Sequence, residues 1–351
     1  MLKKITQFVA VALAVFAVSA HAAEKPVFRV AWSHYTGWEP WAYAQDSGIL
    51  KKWADKYGVT IDLVLVADYM ESINLYTAGK FDGCVMTNMD ALTVPAVGGV
   101  DSSAIITGDF SDGNDGVVVR NGSSVADLKG RKIRLVELSV SHYLLARAFA
   151  SNNMSERDVT LINSSDSDIT SIFAGDEDPR AAVVTWNPML MNVRNMRGTT
   201  MVFDSSKIPG EILDLMVVRT SAPGSFKRAL TGAWYETLAV MSSRSKQAED
   251  AVAFMAKTAG TTVDSFNAQL KTTHMFWTPL DAVSFTRSPK LKETMEYVRT
   301  FSFDHDLFGK GAKTKDYVGI HFPGGSITGN AKNVKFRFVA DFMQEAADGK
   351  L

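Results

Sequence analysis

Residues Ile61–Thr87 read IDLVLVADYMESINLYTAGKFDGCVMT, and their order decides the fold class. The apolar run Ile61–Val66 has the length of a buried strand and is too short for a buried helix. Tyr69–Ala78 follows as a helix, and Gly83–Thr87 closes the unit as a second short strand. Two strands joined through a helix run parallel, because the helix returns the chain to the edge where the first strand began. Cys84 lies inside the second strand and reads as a small core residue. No His or cation stands beside it in sequence to make it a nucleophile.

The same alternation extends both ways. Val27–Ala31 is a strand, and Trp41–Tyr57 reads as a helix with Ile49, Leu50 and Trp53 on one stripe. Downstream, Ala104–Thr107 and Val117–Arg120 are strands. Lys132–Val136, Val159–Asn163 and Ala181–Thr185 are further strands, separated by helices at Tyr143–Ser151 and Ile169–Ala174. Asp214–Val218 is a last strand before the helical zone Phe226–Met241, Lys246–Thr258 and Val263–Lys271. Leu291–Phe301 and Phe336–Ala347 read as later helices, with loops at Gly309–Lys315 and Gly324–Gly329. The result is an α/β protein with mostly parallel sheets. Two segments read as crossovers, the Asp- and Gly-rich Gly108–Gly116 and the stretch near Pro209–Leu213. They divide the chain into a discontinuous lobe, 23–110 plus 214–351, and a second lobe, 111–213. Ligands of parallel α/β sheets sit beyond the carboxyl ends of the strands, so two such lobes enclose a cleft.

The chain opens with Lys3 and Lys4, then the apolar stretch Phe8–Ala17, then Ala20-His21-Ala22. That order is a secretory signal peptide over residues 1–22, and about 10 apolar residues are too few to span a bilayer. The expected location is the periplasm, where ATP and reduced nicotinamide are lacking. Loss of Lys3 and Lys4 takes the formal net charge from −1 to about −3. A balance so close to neutral gives no electrostatic case for nucleic acid or an anionic membrane. With Cys84 as the single cysteine, no intramolecular disulfide forms and the fold rests on core burial. The sequence holds no phosphate-binding Gly-Lys-Ser/Thr loop, no His-Glu-x-x-His pair and no Gly-x-Ser-x-Gly elbow. Asp109, Asp112 and Asp115 are spaced somewhat like a calcium loop but lack its distal Glu, and read as turn residues. No catalytic residue, metal site or cofactor is expected.

Several short stretches, taken in order, carry a family likeness. They are Asp46-Ser47-Gly48-Ile49-Leu50, Thr77–Gly83, Asp127-Leu128-Lys129-Gly130, Ser139–Leu145, Asp158-Val159 and Trp186-Asn187-Pro188. In these the chain resembles the solute-binding proteins of ABC importers, in the nitrate, sulfonate and taurine branch. The likeness spans nearly the whole mature chain. The opening Trp32–Pro40 and Val136-Glu137-Leu138-Ser139 are similar to the binding proteins encoded beside urea carboxylase genes, which implies urea or, equally, guanidine as solute. The resemblance implies a type II periplasmic-binding-protein fold. It also implies a monomer that hands its solute to a membrane permease and its ATPase.

The expected ligand contacts follow from strand ends. Trp32, Tyr35 and Trp38 lie in the loop leaving the first strand, and Tyr69 starts the next helix. Aromatic faces attract planar or cationic groups at roughly 0.5–2 kcal/mol each. Asn88 follows the third strand, and Asp109 lies in the first crossover. Glu137 leaves the first strand of the second lobe, while Ser139 and His142 open its helix, whose free amides favour an acceptor. Trp186 ends a strand, and Asp214 follows the return crossover. The acidic and aromatic character ranks a small amide or amine first and an oxyanion or sulfonate second. A thiamine-pyrimidine-synthase-like enzyme is disfavoured, since those proteins carry a cysteine-rich motif. A sensory role, with the protein docking onto a receptor, is the remaining alternative.

Overall fold

The computed structural model describes residues 24–351; the leader read from residues 1–22 lies outside them. The elements run β1 (Val27–Trp32), α1 (Glu39–Asp46), α2 (Ile49–Lys56), β2 (Thr60–Leu65), α3 (Tyr69–Thr77), β3 (Gly83–Thr87) and α4 (Asn88–Ala91). Next come β4 (Ser102–Ser111), β5 (Asp115–Arg120), β6 (Lys132–Leu135), α5 (Val140–Ala150), β7 (Thr160–Asn163), α6 (Asp166–Gly175), β8 (Ala182–Trp186), α7 (Met189–Arg194) and β9 (Thr199–Asp204). The chain continues with β10 (Leu213–Arg219), α8 (Gly224–Met241), α9 (Lys246–Thr258), α10 (Val263–Leu270), β11 (Thr273–Met275), α11 (Pro279–Thr286) and α12 (Pro289–Asp304). It ends with β12 (Gly319–His321), β13 (Ile327–Gly329), β14 (Val334–Phe338) and α13 (Asp341–Ala347).

The strands form two sheets. One has nine strands in the order β13-β12-β14-β4-β10-β3-β1-β2, with β11 also on β4; the other has five, β7-β6-β8-β5-β9. The quoted unit forms as read, with β2 and β3 both parallel to β1. The sheets as wholes are mixed, which corrects the expectation of mostly parallel sheets. In the first, β10 runs antiparallel to both β3 and β4; in the second, β5 runs antiparallel to β8 and β9. The reversal has a physical cause. A strand that enters a sheet directly from a crossover, with no returning helix, arrives in the opposite direction.

Other expectations are corrected. The helix read over Trp41–Tyr57 is two helices, because Gly48 takes a left-handed conformation (φ 79°) between them. The first crossover is shorter than Gly108–Gly116, since β4 runs through Ser111 and β5 begins at Asp115. The closing helix read over Phe336–Ala347 is a strand followed by a helix; Phe336 and Phe338 point to the core in alternation, as strand residues do. The loop read at Gly324–Gly329 contains β13. Cys84 is wholly buried, and burial pushes its thiol up to about 12, consistent with an inert core residue.

The two connections between the sheets are bonded to each other. The Ser205 hydroxyl pairs with that of Ser111 at 2.6 Å and accepts the Gly113 N–H at 2.8 Å. Asn114 pairs with Asn187 and donates to Thr273 Oγ1 at 2.6 Å. This bonded pair of strands fixes the floor between the lobes.

Candidate functional site

Where the lobes meet, a small, nearly closed cavity of about 10 Å³ is lined by Tyr35, Trp38, Tyr69, Thr87, Asp115, Val140, Trp186, Ile212 and Asp214. Both lobes contribute, and every wall element ends there. Tyr35 and Trp38 come from the loop after β1, where the Tyr35 carbonyl accepts the Trp38 and Glu39 N–H groups at 2.8 and 3.1 Å. Glu39 then starts α1, and Pro40 follows in its first turn with its preset φ. Tyr69 begins α3, whose N-cap Asp68 accepts the Glu71 N–H. Trp186 ends β8, with Asp115 as its register partner at the start of β5.

The aromatic rings touch one another around the space. Trp38 lies 5.1 Å from Tyr35 and 5.5 Å from Tyr69, and Tyr69 meets Trp186 edge-on at 5.5 Å. The Trp186 indole N–H donates to the His34 carbonyl at 3.3 Å, tying the lobes at the rim. The Tyr69 backbone N–H donates to Asp166 at 3.1 Å, and Ser165 donates to Asp68 at 2.7 Å, so the rim is closed on that side too.

The floor is acidic. Asp109 on β4 and Asp214 on β10 are register partners. Tyr35 Oη donates to Asp109 Oδ1 at 3.1 Å, whereas Asp109 Oδ2 and Asp214 Oδ2 are buried with no hydrogen-bond partner. Burial, then the neighbouring Asp109 and Asp115, push Asp214 well up; burial and the Asp115 charge raise Asp109, against its contacts with Asp214 and Tyr35, which hold it down. Burial lifts Asp115 to about 7. Behind Tyr69, Asp90 accepts from Tyr69 Oη at 2.6 Å and Thr87 Oγ1 at 2.8 Å, and burial lifts it to about 6. No Lys, Arg or His lines the cavity among the described residues. Buried carboxylates without cations carry a desolvation cost that a bound positive group or a proton offsets.

The expected contacts thus divide. Tyr35, Trp38, Tyr69, Trp186 and Asp214 are cavity walls, with Asp109 directly behind. The structure places the others outside this cavity. Trp32 packs edge-on against His34 and borders a separate outer hollow with Ala42, Leu63 and Phe254. Asn88 is consumed by the second crossover: its amide donates to the Glu211 carbonyl at 3.1 Å and its oxygen accepts the Leu213 N–H at 3.0 Å. Glu137 is not among the walls; its backbone N–H donates to Asn163 Oδ1 at 2.9 Å, and the chain turns at Leu138 (φ 62°). Ser139 is the N-cap of α5, accepting the Ser141 N–H at 3.2 Å. His142 is engaged elsewhere, with Nε2 on Glu156 at 2.8 Å and Nδ1 accepting the Leu138 N–H at 3.3 Å. Asp115, Thr87, Val140 and Ile212 are walls that the sequence reading missed.

The family described as "NMT1/THI5 like" matches residues 51–222. No curated protein matches the chain. The alkanesulfonate-binding protein SsuA from Xanthomonas axonopodis pv. citri, bound to MOPS, superposes with a TM-score of 0.67 at 16% identity, over 82% of this chain and 96% of that one. The periplasmic aliphatic sulphonate binding protein SsuA from Escherichia coli gives 0.66 at 17% identity, over 81% and 94%. The periplasmic nitrate-binding protein NrtA from Synechocystis PCC 6803 gives 0.64 at 11% identity, over 93% and 89%. The chain has the periplasmic-binding-protein fold.

Proposed function

We propose that this chain is the extracytoplasmic solute-binding component of an ABC importer. In this reading it captures a small nitrogen-rich solute (guanidinium, urea or a related amide or amine) between its lobes and delivers it to a permease. The observation that carries the reading is the cavity: four aromatic rings over an acidic floor, between two lobes. Aromatic faces and carboxylates both attract N–H-rich or cationic groups, and a donor-only solute such as guanidinium satisfies acceptors that the protein leaves unpaired. The solved relatives are named as binding proteins for sulfonates and nitrate, which supports a capture role over catalysis.

Those names also support a second reading, a small oxyanion or sulfonate. Val140, the first residue of α5, is a cavity wall, and helix amides favour acceptors. Against it, the charges facing the space are carboxylates, which repel an anion.

Thermal unfolding of the mature chain with low millimolar guanidinium, urea, taurine or nitrate separates the two, since a ligand of the native state raises the midpoint. The expected result is a rise with guanidinium or urea that is lost in Asp214→Asn and reduced in Trp186→Ala. A rise with taurine or nitrate alone hands the site to the second reading.

A further inference from the structure

Three carboxylates share one floor. Asp109 and Asp214 face each other across paired strands, and Asp115 enters from the other lobe. All three side chains are buried. The groups facing them are Tyr35 and Trp38 from the loop after β1, Tyr69 from α3, Thr87 from β3, Ser111 from β4, Trp186 from β8, and Asn114 beside Asp115. Asp90 on α4 stands one layer back, behind Tyr69. None of these is cationic. Like charges packed this closely in a dry site cannot all ionise, so protons must occupy part of the floor when no solute is present.

We infer that the cavity exchanges protons for a cation: the empty site holds protons on the Asp109–Asp214–Asp115 cluster, and a monocationic solute expels them to solvent as it binds. The inference rests on the capture reading above and deepens it, because it sets the charge of the preferred solute. A cation finds an ionised floor once the protons leave. A neutral isostere such as urea binds the protonated floor and releases nothing. The shifts noted for Asp115 and its neighbours point the same way.

Two measurements test this on the mature protein. The first needs no ligand: the carboxyl carbons of Asp109, Asp115 and Asp214 are followed by NMR across pH. At least two of the three are expected to titrate well above the ordinary carboxylate range; ordinary titration of all three overturns the inference without touching the capture reading. The second is calorimetry with guanidinium chloride at low millimolar concentration, in buffers of different ionisation enthalpy, with urea as the neutral comparison. The expected result is release of about one proton per guanidinium near pH 7, with affinity rising up to about tenfold per pH unit below that. Asp115→Asn and Asp214→Asn should each lower the proton count. Guanidinium binding with heat independent of buffer overturns proton exchange and leaves the capture reading standing. Heat with urea, taurine or nitrate but none with guanidinium overturns the cation preference itself.

Discussion

Asp214 stands against Asp109 because the β4–β10 register puts them there, and Tyr35 holds the pair on one side. A carboxylate so placed is costly alone and valuable with a cation. Asp214→Asn should therefore weaken guanidinium binding by about 3–5 kcal/mol, the cost of breaking a buried ion pair, read as a loss of saturable binding in calorimetry. Trp186→Ala removes one ring face and should cost only about 0.5–2 kcal/mol. Gly37 supports the floor by lacking a side chain: a Cβ there would meet Asp109 Oδ2 at 2.5 Å and Tyr35 Cε1 at 2.6 Å. Gly37→Ala should thus destabilise by about 1–3 kcal/mol, checked by denaturant unfolding, and weaken solute binding as well. At this scale the sequence was legible where chemistry and position coincide. Aromatic residues at strand ends stood out, and Tyr35, Trp38, Tyr69 and Trp186 do line the space. Glu137, Asn88 and His142 carried the right chemistry in the wrong direction. Backbone turns and pairing with distant partners decide where a side chain points, and neither is written locally. Asp115 was hidden for the converse reason, since an Asp beside glycines looks like a turn.

Helix α5 joins the lobes outside the cavity. Its His142 and the residue after α12, His305, both hold Glu156, at 2.8 and 3.0 Å. Along the same seam Tyr143 packs edge-on against Phe301 at 4.8 Å, and Arg147 lies over Tyr297 at 4.5 Å while paired with Glu211. His142 and His305 hold the Glu156 carboxylate down to about 2, against the cost of its burial. A lowered carboxylate contributes stability above its unfolded value near 4.5, lost as pH falls through about 2. Glu156→Gln should remove that part of the acid unfolding profile between about pH 5 and pH 2, seen by circular dichroism. His305→Ala removes one of the two partners of Glu156 and the ring stacked on Phe301 at 4.1 Å, so it should lower the midpoint modestly and speed solute release, measured by thermal unfolding and stopped flow. The elements themselves were readable from strand–helix alternation. The antiparallel strands β5 and β10 were not, because direction depends on the crossover, and apolar runs look alike either way.

For the whole molecule the raised carboxylates set a pH dependence of the empty protein. Asp115 near 7 and Asp90 and Asp166 near 6 bind protons in the native state that the unfolded chain has already released. The native state thus holds more protons between about pH 4 and 7, and stability falls as pH rises through that window. Differential scanning calorimetry should show a lower midpoint at pH 8 than at pH 5 without solute, and a smaller difference in Asp115→Asn. A cation should restore the midpoint most at the higher pH.

The most direct test is a calorimetric titration of the mature chain at pH 8 with guanidinium and, separately, with nitrate. Saturable one-to-one binding of guanidinium is expected, with no heat of binding with nitrate. Saturable nitrate binding with a silent guanidinium titration would contradict it.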